Sequence, residues 1–170
     1  RAAKARLFSN LEITRAKPRP QGAVPGNPRL GVINRDDVKS FDFLNDFIKV
    51  NKLNYGLGGD ANVRAVDIEY SSTGIKFTAV SKDFRVGISS SLVGAYNVSN
   101  CLAALTAAVY GLGIDPQIAA QGIAALDGIP GRMERIDLGQ NFIAIVDFAH
   151  TPNALKVALE AARKMLPPRP

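Results

Sequence analysis

Between Val63 and Ile88 apolar and polar residues change places at a period close to two. A strand turns successive side chains to opposite faces, so this pattern makes a sheet with one buried and one exposed face and excludes an all-helical fold. The runs Val63 to Tyr70, Ile75 to Val80 and Phe84 to Ile88 are separated by Ser71-Ser72-Thr73-Gly74 and by Lys82-Asp83. Short runs joined by such turn residues predict an antiparallel meander over 63–92.

Helical signals surround this sheet. Residues 2–11 read as a helix, and Phe41, Leu44, Phe47 and Ile48 recur at helical spacing, predicting another over 39–50. Leu30 to Asn34 is a short apolar run closed by Arg35-Asp36-Asp37, expected to be a buried strand, and Gly56, Gly58 and Gly59 mark a loop. Residues 97–111 are rich in Ala and Leu and stop at Gly111-Leu112-Gly113, a helix-ending signal. Asp115-Pro116 pairs an N-cap with proline in the first turn and opens a helix to about Leu126. Asp127-Gly128-Ile129-Pro130-Gly131 has the composition of a linker. Beyond it, Phe142 to Asp147 is a continuous apolar run ending in a carboxylate, and Thr151-Pro152 opens a helix with Ala154, Leu155, Ala158, Leu159 and Ala162 on one face. An apolar strand followed by a helix begins a parallel α/β unit. The expected organisation is one partial domain over 1–127 and the start of another over 128–170. With an opening segment that reads as the middle of a helix, the chain is expected to be an internal piece of a longer protein.

The net charge of +6 is concentrated at the start. Residues 1–35 carry eight Lys and Arg against Glu12 alone, and Pro18, Pro20, Pro25 and Pro28 break the segment into extended loop. A basic stretch can mark nucleic-acid binding, but one aromatic, Phe8, makes no stacking platform for bases, so nucleic acid is not an expected partner. No run approaches the ~20 consecutive apolar residues of a membrane helix, and no membrane association is expected. The single cysteine, Cys101, excludes an intramolecular disulfide and reads as a small buried hydrophobe.

Three segments carry polar groups that could do chemistry. Gly94-Ala95-Tyr96-Asn97-Val98-Ser99-Asn100 puts two carboxamides on one face of a helix start, where each could read the edge of a purine or Asn97 could simply cap the helix. Gly131-Arg132-Met133-Glu134 sets a guanidinium directly after a glycine, suited to bidentate phosphate contacts or else a plain surface arginine. Asp147-Phe148-Ala149-His150-Thr151-Pro152 follows the apolar strand, at the end where open α/β sheets bind ligands. There Asp147 could accept from ribose hydroxyls, Thr151 could cap the next helix or touch a phosphate, and His150, the one histidine, is either structural or functional.

Taken with Ala2 to Phe8 and Val32 to Asp37, these segments resemble the Mur ligases, and among them the tripeptide synthetases, in order from residue 2 to about 165. The resemblance implies the fold: the second half of the family's central ATP-binding domain, a mixed sheet with helices, then the first strand and helix of a Rossmann-like C-terminal domain. It implies an ATP-dependent amide ligase that adds the third amino acid, diaminopimelate or lysine, to UDP-N-acetylmuramoyl-dipeptide in peptidoglycan synthesis, through an acyl phosphate. ATP and Mg²⁺ are the implied cofactors and a cytoplasmic monomer the implied setting, in a plastid if the source is a plant. By similarity Lys4 is the lysine carbamylated by carbon dioxide, which turns a cationic amine into an anionic oxygen ligand for Mg²⁺; from its surroundings alone it is an exposed helix lysine. Asn97, Asn100, Arg132, Asp147 and His150 match the ATP site, with Asn100 at adenine, Arg132 at the phosphates and Asp147 at the ribose.

The sequence also departs from the family. The glycine-rich phosphate loop is not among these residues, so the chain by itself is expected to be inactive, and Phe148 stands where the family often has tyrosine. Two other readings share some of these features: a folylpolyglutamate-synthetase-like ligase, and a non-catalytic Mur-ligase-like subunit of the kind associated with the plastid RNA polymerase, to which the basic start lends slight weight.

Overall fold

A computed structural model of the protein describes residues 2–13 and 29–165. The proline-punctuated stretch 15–28 and the side chain of Lys4 lie outside the described residues. The elements in chain order are α1 (Ala2–Ile13), β1 (Gly31–Asn34), α2 (Val38–Phe47), β2 (Lys52–Gly56), β3 (Val63–Ser71), β4 (Gly74–Val80), β5 (Arg85–Ser90), α3 (Tyr96–Thr106), α4 (Pro116–Ala124), β6 (Glu134–Ile136), β7 (Ala144–Val146) and α5 (Pro152–Lys164).

Strands β1 to β5 form one mixed sheet in sequence order. β1, β2 and β3 run parallel, and β3, β4 and β5 make the antiparallel meander that the alternation predicts. The meander buries one face: Val63, Ala65, Ile75, Phe77, Ala79, Val86 and Ile88 point to the core, while Lys76, Arg85 and Gly87 face outward. Gly74 closes the β3–β4 hairpin at φ +151°, with Ser90 O lying 2.1 Å from where a Cβ would stand, so only glycine fits there. Helix α3 lies across the buried face with Val98, Cys101, Leu102 and Leu105, and α4 adds Ala119 and Ala120. Cys101 is the buried hydrophobe expected, and burial pushes its thiol up from 9.0.

Strand β2 replaces part of the loop expected before residue 63. Lys52-Leu53-Asn54-Tyr55-Gly56 has no apolar run, and its strand character comes from its neighbours. It pairs with β1 over four residues and overlaps β3 at only Tyr55↔Val63 and Gly56↔Arg64. An exchange of side chains completes the short overlap: Asn54 N–H donates to Asn62 Oδ1 at 2.9 Å, and Asn62 N–H to Asn54 Oδ1 at 2.8 Å. The carboxylate of Asp36, at the end of β1, accepts the Leu57 N–H on both oxygens at 3.1 and 3.0 Å, tying the ends of the two parallel strands together.

Helix α3 ends in one π-helical turn, Ala107–Gly111, and Gly113 follows at φ +71°, returning its N–H to Val109 O at 3.0 Å. Left-handed glycine is the stop signal read in the sequence. Helix α4 opens as expected, Asp115 accepting from Gln117 N–H at 2.8 Å and Ile118 N–H at 3.3 Å.

After residues 125–133 comes the strand–helix pair β7–α5. The strand is shorter than the apolar run, and its partner is β6, antiparallel, rather than a parallel strand. Nor is the run from Phe142 to Asp147 fully buried: Phe142 is 66% and Val146 49% exposed. An apolar run specifies a side chain's preference for burial but not the partner that provides it, and β6 ends at Ile136, only eight positions before Ala144, across a turn with Gly139 at φ +85°.

Candidate nucleotide site

The start of α3 and the two segments beyond residue 130 face one another. The ring of Tyr96 lies over Gly94, whose φ is +99°; a Cβ at Gly94 would stand 2.9 Å from Tyr96 Cε1 and 3.5 Å from Ala161 Cβ of α5. Tyr96 also feels both later segments. Burial chiefly, and then the negative charge of Asp147, push its phenol above 10.0, while Arg132 pulls it down. Groups 36 and 51 positions apart in the chain thus act on one hydroxyl. Tyr96 lay within a segment singled out from sequence, but no pattern signalled its part in the site, because that depends on what α3 meets.

Asn97 is not the helix cap. Ala95 occupies that position without a side-chain bond, and Asn97 sits in the first turn, 4% exposed. Its Nδ2 donates to Val93 O at 2.7 Å and its Oδ1 accepts from Asn100 Nδ2 at 2.9 Å. Asn100 is exposed and keeps its Oδ1 and one N–H for something else.

Around Arg132 the backbone is left-handed on both sides, Gly131 at φ +69° and Met133 at φ +49°. A left-handed non-glycine residue costs about 1–3 kcal/mol and persists only where surroundings hold it. Here the Met133 N–H donates to Asp147 Oδ2 at 2.8 Å, the Gly131 N–H to Glu134 Oε2 at 2.8 Å, and the Phe148 N–H to Gly131 O at 2.7 Å. Met133 is buried beneath this loop, and the guanidinium of Arg132 projects over the Phe148 ring, 5.8 Å from its centre. Asp147 Oδ1 accepts the Ala149 N–H at 2.8 Å, so each carboxylate oxygen holds one backbone donor and retains a lone pair.

His150 stands edge-on to Phe148 at 5.2 Å, with Nδ1 3.0 Å from Phe148 O. A carbonyl only accepts, so Nδ1 is the donor in this contact. Thr151 caps α5, accepting from Ala154 N–H at 3.2 Å. Lys4 falls within α1. Among the described residues no group of three His, Cys, Asp or Glu side chains comes together to hold a metal ion. A cleft of about 560 Å³ opens beside Arg132, between Ser91–Val93 at the end of β5 and the 127–130 segment. A larger one, about 760 Å³, lies away from these groups between β7 and α5 and is mostly apolar, lined by Ile145, Leu155 and Leu159.

A mixed sheet covered by α3, with a strand–helix unit brought against the start of that helix, defines a protein of the mixed α/β class. The chain belongs to the Mur ligase family, matching the Mur ligase middle domain over residues 1–108. It is 40% identical over 144 residues to UDP-N-acetylmuramoyl-L-alanyl-D-glutamate–2,6-diaminopimelate ligase of Streptomyces avermitilis, a match covering 83% of this chain and 28% of that protein. A solved structure of an enzyme of the same name superposes with a TM-score of 0.72 at 31% identity, over 98% of this chain and 32% of the other. The folylpolyglutamate synthetase of Lactobacillus casei shares the fold, with a TM-score of 0.64 at 24% identity over 86% of this chain and 37% of its own. The chain therefore spans under a third of the length of these Mur ligases.

Proposed function

We propose that the chain is part of an ATP-dependent amide ligase of peptidoglycan synthesis, adding the third amino acid to UDP-N-acetylmuramoyl-dipeptide in the bacterial cytoplasm. What supports the reading is the likeness to a diaminopimelate ligase at 40% identity over 83% of this chain, together with the approach of the later segments to the start of α3, where Ala161 of α5 stands 3.5 Å from a Cβ at Gly94 and Asp147 holds the turn that carries Arg132. We place the boundary between two units at residues 127–131, 1–127 belonging to the central domain and 128–170 to the next. A site assembled across such a linker can close on its substrate and exclude water.

In this reading Asn100 meets the adenine, Asp147 the ribose hydroxyls, and Arg132 the phosphates, with His150 beside them. The γ-phosphoryl group passes from ATP to the substrate carboxylate, giving an acyl phosphate and ADP. The amine of the incoming amino acid attacks the acyl carbon, loses a proton, and phosphate departs. Arg132, held by its left-handed flanks, would balance charge on the phosphate oxygens as it develops. Lys4 in α1 is proposed as the carbamylated lysine; the described residues do not by themselves make a magnesium site. Among the two amino acids expected, the relatives' names favour diaminopimelate.

The test is ATP-dependent phosphate release by the full-length protein that contains this sequence. Release should require UDP-N-acetylmuramoyl-dipeptide together with diaminopimelate. Release driven instead by a folate and glutamate, or none with any acceptor, would reject the proposal.

A further inference from the structure

The buried carboxamide of Asn97 is locked in one orientation, and that lock extends to Asn100. Val93 O is a carbonyl and can only accept, so the Asn97 atom 2.7 Å away must be Nδ2. Its Oδ1 is then turned toward Asn100, and the Asn100 atom 2.9 Å from it must be a donor, Nδ2. If Asn100 turned over, two carbonyl oxygens would face each other at that distance inside a partly buried pair. Asn97 is 4% exposed and has both ends engaged, so it presents nothing outward. Asn100 is exposed and presents an acceptor, Oδ1, beside its second N–H.

The geometry points to Asn97 as a positioning residue that makes the site prefer a 6-aminopurine over a 6-oxopurine nucleotide by fixing which way the Asn100 carboxamide faces. This rests on the proposed placement of Asn100 at the base. Adenine offers a donor, its 6-amino group, flanked by ring acceptors, which matches an outward oxygen beside an N–H. A 6-oxopurine puts an acceptor where Oδ1 already accepts. Only an Asn100 rotated by half a turn would suit it on the N1 side, and Asn97 opposes that rotation. One correct amide contact to a base is worth roughly a tenfold preference or more.

The test uses the full-length protein and measures the Michaelis constants for ATP and for inosine triphosphate, which exchanges the amino group for oxygen at position 6. The unsubstituted protein should favour ATP by roughly tenfold or more. Asn97→Leu removes the acceptor that holds Asn100 and should bring the two nucleotides within about threefold of each other, through KM rather than kcat. Asn97→Asp keeps an acceptor toward Asn100 and should retain the preference although the fold is less stable, a split that a purely structural role would not produce. An Asn97→Leu protein as selective as the original overturns the proposal while Asn100→Ala still raises KM for ATP. If Asn100→Ala leaves both constants unchanged, the placement of the base at Asn100 is itself wrong and the relay falls with it. Should Asn97→Leu fail to fold, the asparagine side-chain ¹⁵N resonances of the unsubstituted protein decide. ATP should shift those of Asn100 strongly and those of Asn97 little, and equal shifts would overturn the positioning role.

Discussion

Asp147 receives the backbone N–H of Met133 on Oδ2 at 2.8 Å, across fourteen positions of chain, and so fixes the left-handed turn that presents Arg132. Its other oxygen takes the Ala149 N–H. Replacing Asp147 by Ala leaves two backbone donors without this acceptor. We expect a loss of about 1–3 kcal/mol in urea unfolding, and in the full-length protein a higher KM for ATP. Asp147→Asn, which keeps one acceptor oxygen, should fall between the two. An unchanged unfolding midpoint for Asp147→Ala would show that the turn does not depend on this bond.

Gly94→Ala should damage the site more than the fold. The added methyl would stand 2.9 Å from the Tyr96 ring and 3.5 Å from Ala161, at φ +99°, where side chains are strained. The ring must move, and with it the contact between α3 and the segments beyond residue 130. The expected result is at least a tenfold loss in kcat/KM for ATP, with sheet signals in circular dichroism retained. Normal kinetics would mean that Tyr96 is not held in place for nucleotide binding.

Stability should be lost in alkali. Burial pushes Cys101 above 9.0, and Tyr55, Tyr96 and Tyr110 above 10.0. A raised pKa means that the folded state holds the proton more tightly. Its contribution is therefore complete below the unfolded value and disappears as pH rises through the folded value. Urea midpoints should be flat with respect to these four groups up to about pH 8, then fall from about pH 9. Tyr96→Phe should make the decline above pH 10 shallower, and an identical slope would exclude Tyr96 from it.

The cap of α4 offers a change that should leave nucleotide binding alone. Asp115→Ala removes the acceptor for Gln117 and Ile118 N–H and should cost about 0.5–2 kcal/mol. KM for ATP should stay within twofold. A large change in KM would connect α4 to the site by a route that its packing against β5 does not suggest.

Lys4→Ala in the full-length protein should sharply reduce ATP turnover, and short-chain carboxylates should restore part of it by supplying the missing anionic oxygen. Undiminished turnover without them would remove the carbamate from the proposed mechanism.

The meander was legible because period-two alternation is a local consequence of one-sided burial, and the caps at Asp115 and Thr151 because a side chain bonds its own next turn. β2 and β6 were not legible. Lys52 to Gly56 and Glu134 to Ile136 lack a distinguishing pattern, and each becomes a strand through backbone bonds to partners elsewhere in the chain. In the site, the sequence pointed to Asn97, Asn100, Arg132, Asp147 and His150, but residue type and spacing left open what each side chain touches.

The sequence by itself determined the meander and its buried face, the capped starts of α4 and α5 and the family resemblance, since periodicity, capping and motif order are carried by neighbours along the chain. Tertiary structure alone decided that Asn97 turns inward to Val93 and Asn100, that Asp147 holds the Met133 backbone, and that Tyr96 comes under the charges of Arg132 and Asp147. Those relationships depend on which way a hydrogen-bonding group faces once distant segments are packed together, and no local pattern encodes that orientation.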